Sequence, residues 1–119
     1  MTDPSTLPDE PSITAITLAE LSVGPLVTDD EDERATRLAH LQQAEADFDA
    51  IPFDAAAARV FGRVAAALRR AGRKPAARAY DALIASVAIA EDLPLYTCNP
   101  HDFTGIPGLD LRPVPHPDR

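Results

Sequence analysis

The chain has 119 residues, 45% of them hydrophobic and 25% charged, with a formal net charge of -8. These are the proportions of a soluble globular protein with one modest core, and they leave no room for a two-domain enzyme. A single cysteine, Cys98, excludes an internal disulfide and a cysteine-rich zinc site, and no apolar run is long enough to cross a bilayer, so a cytoplasmic chain without a membrane partner is expected.

Residues 1–11 hold three prolines and no periodic apolar pattern, and they read as an irregular lead-in. Ser12 to Ile16 fits a short buried strand that passes at once into a helix, which Thr17 would cap and Gly24-Pro25 would stop. A second helix should start among Asp29 to Glu33, where negative charge suits the positive helix end. Its apolar stripe is sparse: Leu38, Leu41 and Phe48, with Ala35 and Ala44 filling gaps. Ile51-Pro52-Phe53 is a connection or edge strand, and Asp54 is a natural N-cap. Ala57, Val60, Phe61, Val64 and Leu68 then follow the 3.6-residue period and predict a helix from Ala55 to Ala71, ended by Gly72. Lys74 to Arg78 reads as a linker. Ala79 to Glu91 is apolar almost all round, as in a helix packed against a sheet on one side and helices elsewhere. Leu95 to Cys98 reads as an interior strand, Asn99 to Gly108 as a turn-rich loop, and Leu109 to Val114 as a last strand before a tail at 115–119. Strands alternating with helices predict an α/β sandwich with a short, mostly parallel sheet, in which sites form at the carboxyl ends of the strands.

The charges are segregated. Eight acids lie between Thr28 and Ala50, against Arg34 and Arg37. From Ala55 to Tyr80 there is no acid, but Arg59, Arg63, Arg69, Arg70, Arg73, Lys74 and Arg78. The basic stretch is either a solvated helix face or a surface for a phosphate backbone or an acidic partner.

Three acids occupy strand ends or the helix starts that follow them: Glu20, Asp81 and Asp102. Each has a plain structural explanation. Thr17-Leu18-Ala19-Glu20 is a capping-box pattern, Asp81 suits the first turn of a helix, and Asp102 suits an Asx turn. These explanations account poorly for an acid heading the most apolar helix, because a buried carboxylate is unfavourable by several kcal/mol unless it is paired or holds a metal. A hard cation such as Mg²⁺ takes oxygen ligands, and when carboxylate-bound it supports phosphodiester hydrolysis. His40, His101 and His116 lack metal-ligand spacing, Ser86 lies in an apolar helix face, and Cys98 has no neighbouring base, so no nucleophilic triad competes.

The run Arg78-Ala79-Tyr80-Asp81-Ala82-Leu83-Ile84-Ala85, then Leu93 to Phe103 with Thr97-Cys98-Asn99-Pro100-His101-Asp102, then Ile106-Pro107-Gly108-Leu109, resembles the C-terminal half of PIN-domain ribonucleases. The resemblance is closest to VapC-type toxins of bacterial toxin-antitoxin pairs, and Ile13 to Leu21 with Gly24 is similar to that family's second motif block. It implies a PIN-like three-layer α/β sandwich over residues 12–114, and places the family's second, third and fourth acids on Glu20, Asp81 and Asp102, with Thr97 and Asn99 as polar helpers. It further implies an endoribonuclease dependent on Mg²⁺ or Mn²⁺, a cognate VapB-type antitoxin, an RNA substrate and a homodimer. Arg59, Arg63, Arg69, Arg70, Arg73, Lys74 and Arg78 become candidates for the RNA or antitoxin surface.

Family members begin with a central strand ending in a metal-binding Asp, followed by a helix. This sequence starts at roughly the second block, so an N-terminally truncated PIN fold with three of four acids is expected. Two outcomes remain open on that reading: an active toxin, or a remnant that only binds an antitoxin or another protein.

Overall fold

The computed structural model describes residues 12–73 and 79–115. The expected lead-in, the linker with Lys74 and Arg78, and all but the first residue of the tail lie outside the described residues. The chain falls into two compact units, one spanning Pro11–Pro52 and the other continuing from Phe53.

In the first unit, β1 is only Ile13–Thr14, and α1 follows directly as Ala15–Val23. The strand is shorter than expected because Thr14, not Thr17, is the N-cap. The Thr14 Oγ1 accepts the Thr17 backbone N–H at 3.0 Å and also lies 3.0 Å from the Thr17 hydroxyl. A 3-10 turn at Gly24–Leu26 ends the helix, with Pro25 buried. α2 is Glu31–Asp47, and its N-cap Asp30 accepts the N–H groups of Asp32 and Glu33 at 2.9 and 3.0 Å. β2, Ala50–Ile51, pairs with β1 in parallel, Ile13 opposite Ala50. Of the expected apolar stripe only Ala44 is buried; Leu38 is 42% exposed, Leu41 and Phe48 are half-buried, and Ala35 is exposed. Arginines hold the unit instead. Arg34 donates to the carbonyls of Pro25 and Thr28, and Arg37 to the Gly24 carbonyl while pairing with Glu33.

In the second unit, Asp54 caps α3, Ala55–Arg70, by accepting the Ala57 N–H at 3.0 Å. The helix ends in a Schellman arrangement: Gly72, at φ +80°, donates to the Arg69 carbonyl and Arg73 to the Leu68 carbonyl. α4, Ala79–Ala90, ends the same way, with the Leu93 N–H on the Ala88 carbonyl and the left-handed position filled by Asp92, φ 55°. Val60, Val64 and Leu68 of α3 pack with Ala82 and Ala85 of α4 and with Phe103 and Ile106 to form the core. Ser86, fully buried, donates to the Ala82 carbonyl one turn back, so the polar atom inside this apolar helix is satisfied.

β3, Leu95–Thr97, pairs in parallel with β4, Leu111–Pro113. Arg112 faces Tyr96 across this pair, donates to its hydroxyl and to both oxygens of Asp110, and lies 5.8 Å from the ring centroid. The Asp110 carboxylate, then the Tyr96 hydroxyl, raise the Arg112 pKa above the ordinary arginine value. The parallel direction expected from the sequence is observed, and among the described residues the four strands are joined two by two. No helix among the described residues is long and apolar enough to cross a membrane.

Candidate functional site

The loop between β3 and Phe103 is built as a relay of short hydrogen bonds. The Thr97 Oγ1 accepts the Asn99 backbone N–H at 3.0 Å, and the Asn99 carbonyl accepts the Asp102 N–H at 3.1 Å. Thr97 therefore fixes Asn99 and Asn99 fixes Asp102, which gives the T-x-N-x-x-D spacing a mechanical meaning. Asp102 sits in a 3-10 helix, Pro100–Phe103, half-buried, and its neighbour Phe103 is inserted in the core. The Asn99 side chain also donates to the Cys98 sulfur at 3.5 Å.

Asp81 lies in the first turn of α4, half-buried and next to Ala82, which is 1% exposed. α4 packs against the 3-10 helix that carries Asp102, so this unit presents two carboxylates on contacting elements. Glu20 belongs to the first unit, on the exposed side of α1. With Thr14 as N-cap, Glu20 lies beyond the first turn, and the Thr17 N–H that a capping box would assign to it is taken by Thr14. The capping-box account of Glu20 is thereby removed. None of the three acids stands without a partner.

Carboxylates, a threonine and an asparagine are the donors a hard cation takes. Among the described residues, however, no three His, Cys, Asp or Glu side chains gather into a metal-binding group.

Arg59, Arg63, Arg69 and Arg70 are exposed along α3. Arg73 is used differently: its guanidinium donates to the Thr104 Oγ1, tying the end of α3 to the residue after the Asp102 helix. Gly105, at φ +85°, brings its backbone to the same place, where an added Cβ would lie 3.7 Å from that of Ala71. Sequence reasoning does not find this clasp, because nothing local in Arg73 or Thr104 announces a partner so far along the chain. The Thr14 cap was within reach of the sequence: a threonine three residues before another hydroxyl, directly ahead of the helix-forming run from Ala15.

The PIN domain family model matches residues 5–108, and the chain belongs to the PIN-domain family. Within that family its relatives include VapC proteins. It is 40% identical over 106 residues to Ribonuclease VapC5 of Mycobacterium tuberculosis, covering 89% of this chain and 76% of the relative. It is 31% identical over 110 residues to Ribonuclease VapC of Rickettsia bellii, covering 92% and 81%. Its structure is similar to that of VapBC-5, a member of the VapBC family of toxin-antitoxin systems from M. tuberculosis, with a TM-score of 0.82 and 36% identity over 98% of this chain and 90% of that one. The α/β PIN fold expected from the sequence is thus the fold observed.

Proposed function

We propose that this chain is an endoribonuclease toxin of a VapBC-type pair, with Glu20, Asp81 and Asp102 as its acidic residues. The observation that carries the reading is the 40% identity to a VapC ribonuclease across 89% of the chain. The Thr97, Asn99 and Asp102 relay supports it, because it holds a carboxylate at the carboxyl end of β3, where parallel sheets place their sites. The family resemblance implies Mg²⁺ or Mn²⁺, which would lower the pKa of a bound water and offset charge at a phosphate; Asp81 and Asp102, on contacting elements of one unit, are the carboxylates that would hold it. The chain's own contribution is placement. Phe103 in the core and the Thr97 and Asn99 hydrogen bonds fix the backbone at Asp102, and α4 carries Asp81 on a helix fixed by Ala82 and Ala85.

The partner on this reading is a VapB-type antitoxin, as in the similar VapBC-5 assembly, together with a second copy of the chain, both acting in the cytoplasm. The test is incubation of the chain with structured RNA and Mg²⁺ or Mn²⁺, beside Asp81→Asn and Asp102→Asn. Cleavage by the unaltered chain, reduced in both variants by at least the ~10–100-fold that loss of a group supporting a metal site brings, is expected. Cleavage that survives both substitutions would sink the assigned site. Antitoxin binding with no cleavage under either cation would leave a protein that binds and does not cut.

A further inference from the structure

The outward face of α3 carries arginines and small residues only. At 3.6 residues per turn, Arg59, Arg63 and Arg70 fall within about 40° of one another around the helix and span about 16 Å along its axis, with Arg69 on the adjoining side. The buried Ala57, Val60, Val64, Ala67 and Leu68 point the other way. The remaining exposed positions on this face are Ala55, Ala58, Gly62 and Ala66, and a Cβ added at Gly62 would meet nothing within 4 Å. Among the described residues none of the four arginines forms an ion pair or donates a hydrogen bond.

Helix stability does not account for this stripe. Arg69 and Arg70 lie in the last turn, where positive charge suits the dipole, but Arg59 lies near the N-terminal end, where it does not. Arg59 and Arg63 are also a like-charge pair one turn apart, an arrangement that weakens a helix. A polyanion answers both points, since it neutralises the arginines in a row. The absence of any aromatic or large apolar side chain on the face argues against a protein partner, whose binding energy concentrates in such anchors. A phosphodiester backbone needs only charge and close approach, and the small residues between the arginines leave that approach open.

We propose that Arg59, Arg63 and Arg70, with Arg69 beside them, form a track for the backbone of an RNA strand, held by charge without reading its bases. The proposal rests on the ribonuclease reading, and it leaves out Arg73, whose guanidinium is engaged by Thr104. The test is fluorescence anisotropy of a short unstructured RNA with the full chain, without divalent cation, over a range of KCl. The variants are Arg59→Ala with Arg63→Ala and Arg70→Ala, and the same three positions changed to Lys. Alanine favours helix, and far-UV circular dichroism confirms that the alanine variant folds. Its affinity should fall on the order of tenfold or more, and its salt slope by about 2, at roughly 0.7 for each phosphate of a single strand that is no longer neutralised. The lysine variant should keep most of the affinity. An unaltered chain that shows no salt-dependent RNA binding, or an alanine variant with unchanged affinity and slope, overturns the track. So does loss of poly-glutamate binding with RNA binding kept, which would assign the face to an acidic protein. Cleavage enters none of these readouts: RNA bound on the track but left uncut after Mn²⁺ is added would count against the ribonuclease reading alone.

Discussion

The two units of this chain are stabilised by different physics. Among the described residues, eleven of the twelve buried hydrophobic side chains lie from Phe53 onward, centred on Val64 and Leu68 of α3 and Ala82 and Ala85 of α4. Between Ser12 and Pro52 only Ala44 is a buried hydrophobic, while Val23, Leu26, Val27 and Leu38 are more than two-fifths exposed. That stretch is ordered by caps and arginine forks: Thr14 on Thr17, Asp30 on Asp32 and Glu33, Arg34 and Arg37 on the carbonyls of the 3-10 turn. Apolar burial is cooperative and tolerates solvent poorly, whereas exposed hydrogen bonds contribute only about 0.5–1.5 kcal/mol each. The same chain therefore places one acid, Glu20, on a unit built from small polar increments, and two, Asp81 and Asp102, on a packed one.

The sharpest way to break that contrast is to truncate one leucine in each unit. Leu68→Ala, at a side chain 1% exposed, should lower the unfolding free energy by about 2–5 kcal/mol, and Leu38→Ala by about 0.5 kcal/mol or less. Urea denaturation followed by circular dichroism reads both, and equal effects would show that the units share one kind of core. Next come the caps. Thr14→Ala and Asp54→Ala should each destabilise by about 1 kcal/mol. Amide exchange should speed at residues 15–23 in the first and at 55–60 in the second; unchanged exchange in α1 would mean the Thr14 cap contributes nothing. A stabilising change tests the packed unit from the other side. Asp92 holds a left-handed backbone that glycine adopts freely, so Asp92→Gly should raise the melting temperature, corresponding to about 1 kcal/mol. A fall would show that the Asp92 side chain contributes more than its backbone strain. A smaller effect than the caps is expected of Arg37→Ala, about 0.5–1 kcal/mol, with faster exchange at Val27, whose N–H bonds the Gly24 carbonyl that Arg37 also holds. Arg63→Ala, with no such contacts, serves as the control and should leave stability within about 0.5 kcal/mol.

Much of the packed unit was legible because its signals are periodic. The spacing of Val60, Val64 and Leu68, with Asp54 before and Gly72 after, fixes α3 to within a residue of its expected end. The all-round apolarity of Ala79 to Ala90 marks a helix with no free face, and Asp81 is conspicuous for breaking it. The first unit read less well for the same reason. Leu38, Leu41 and Phe48 give too thin a stripe to fix a core, and the assignment of Thr17 put the α1 cap three residues too late. Long-range polar contacts such as Arg73 on Thr104 leave no periodic trace at all. The acids stand out in the sequence through their positions after strands and at a helix head, and the Thr14 cap takes from Glu20 its capping-box explanation.

The single cysteine of the chain lies inside the Thr97 to Asp102 relay, half-buried and touched by the Asn99 amide. Chemical labelling of this chain is therefore addressed by nature to one position. A fluorophore or spin label on Cys98 would report from within the loop that carries Asp102, with no other thiol to be removed first. Whatever fills that loop, ion, nucleotide or protein, can be watched from inside it.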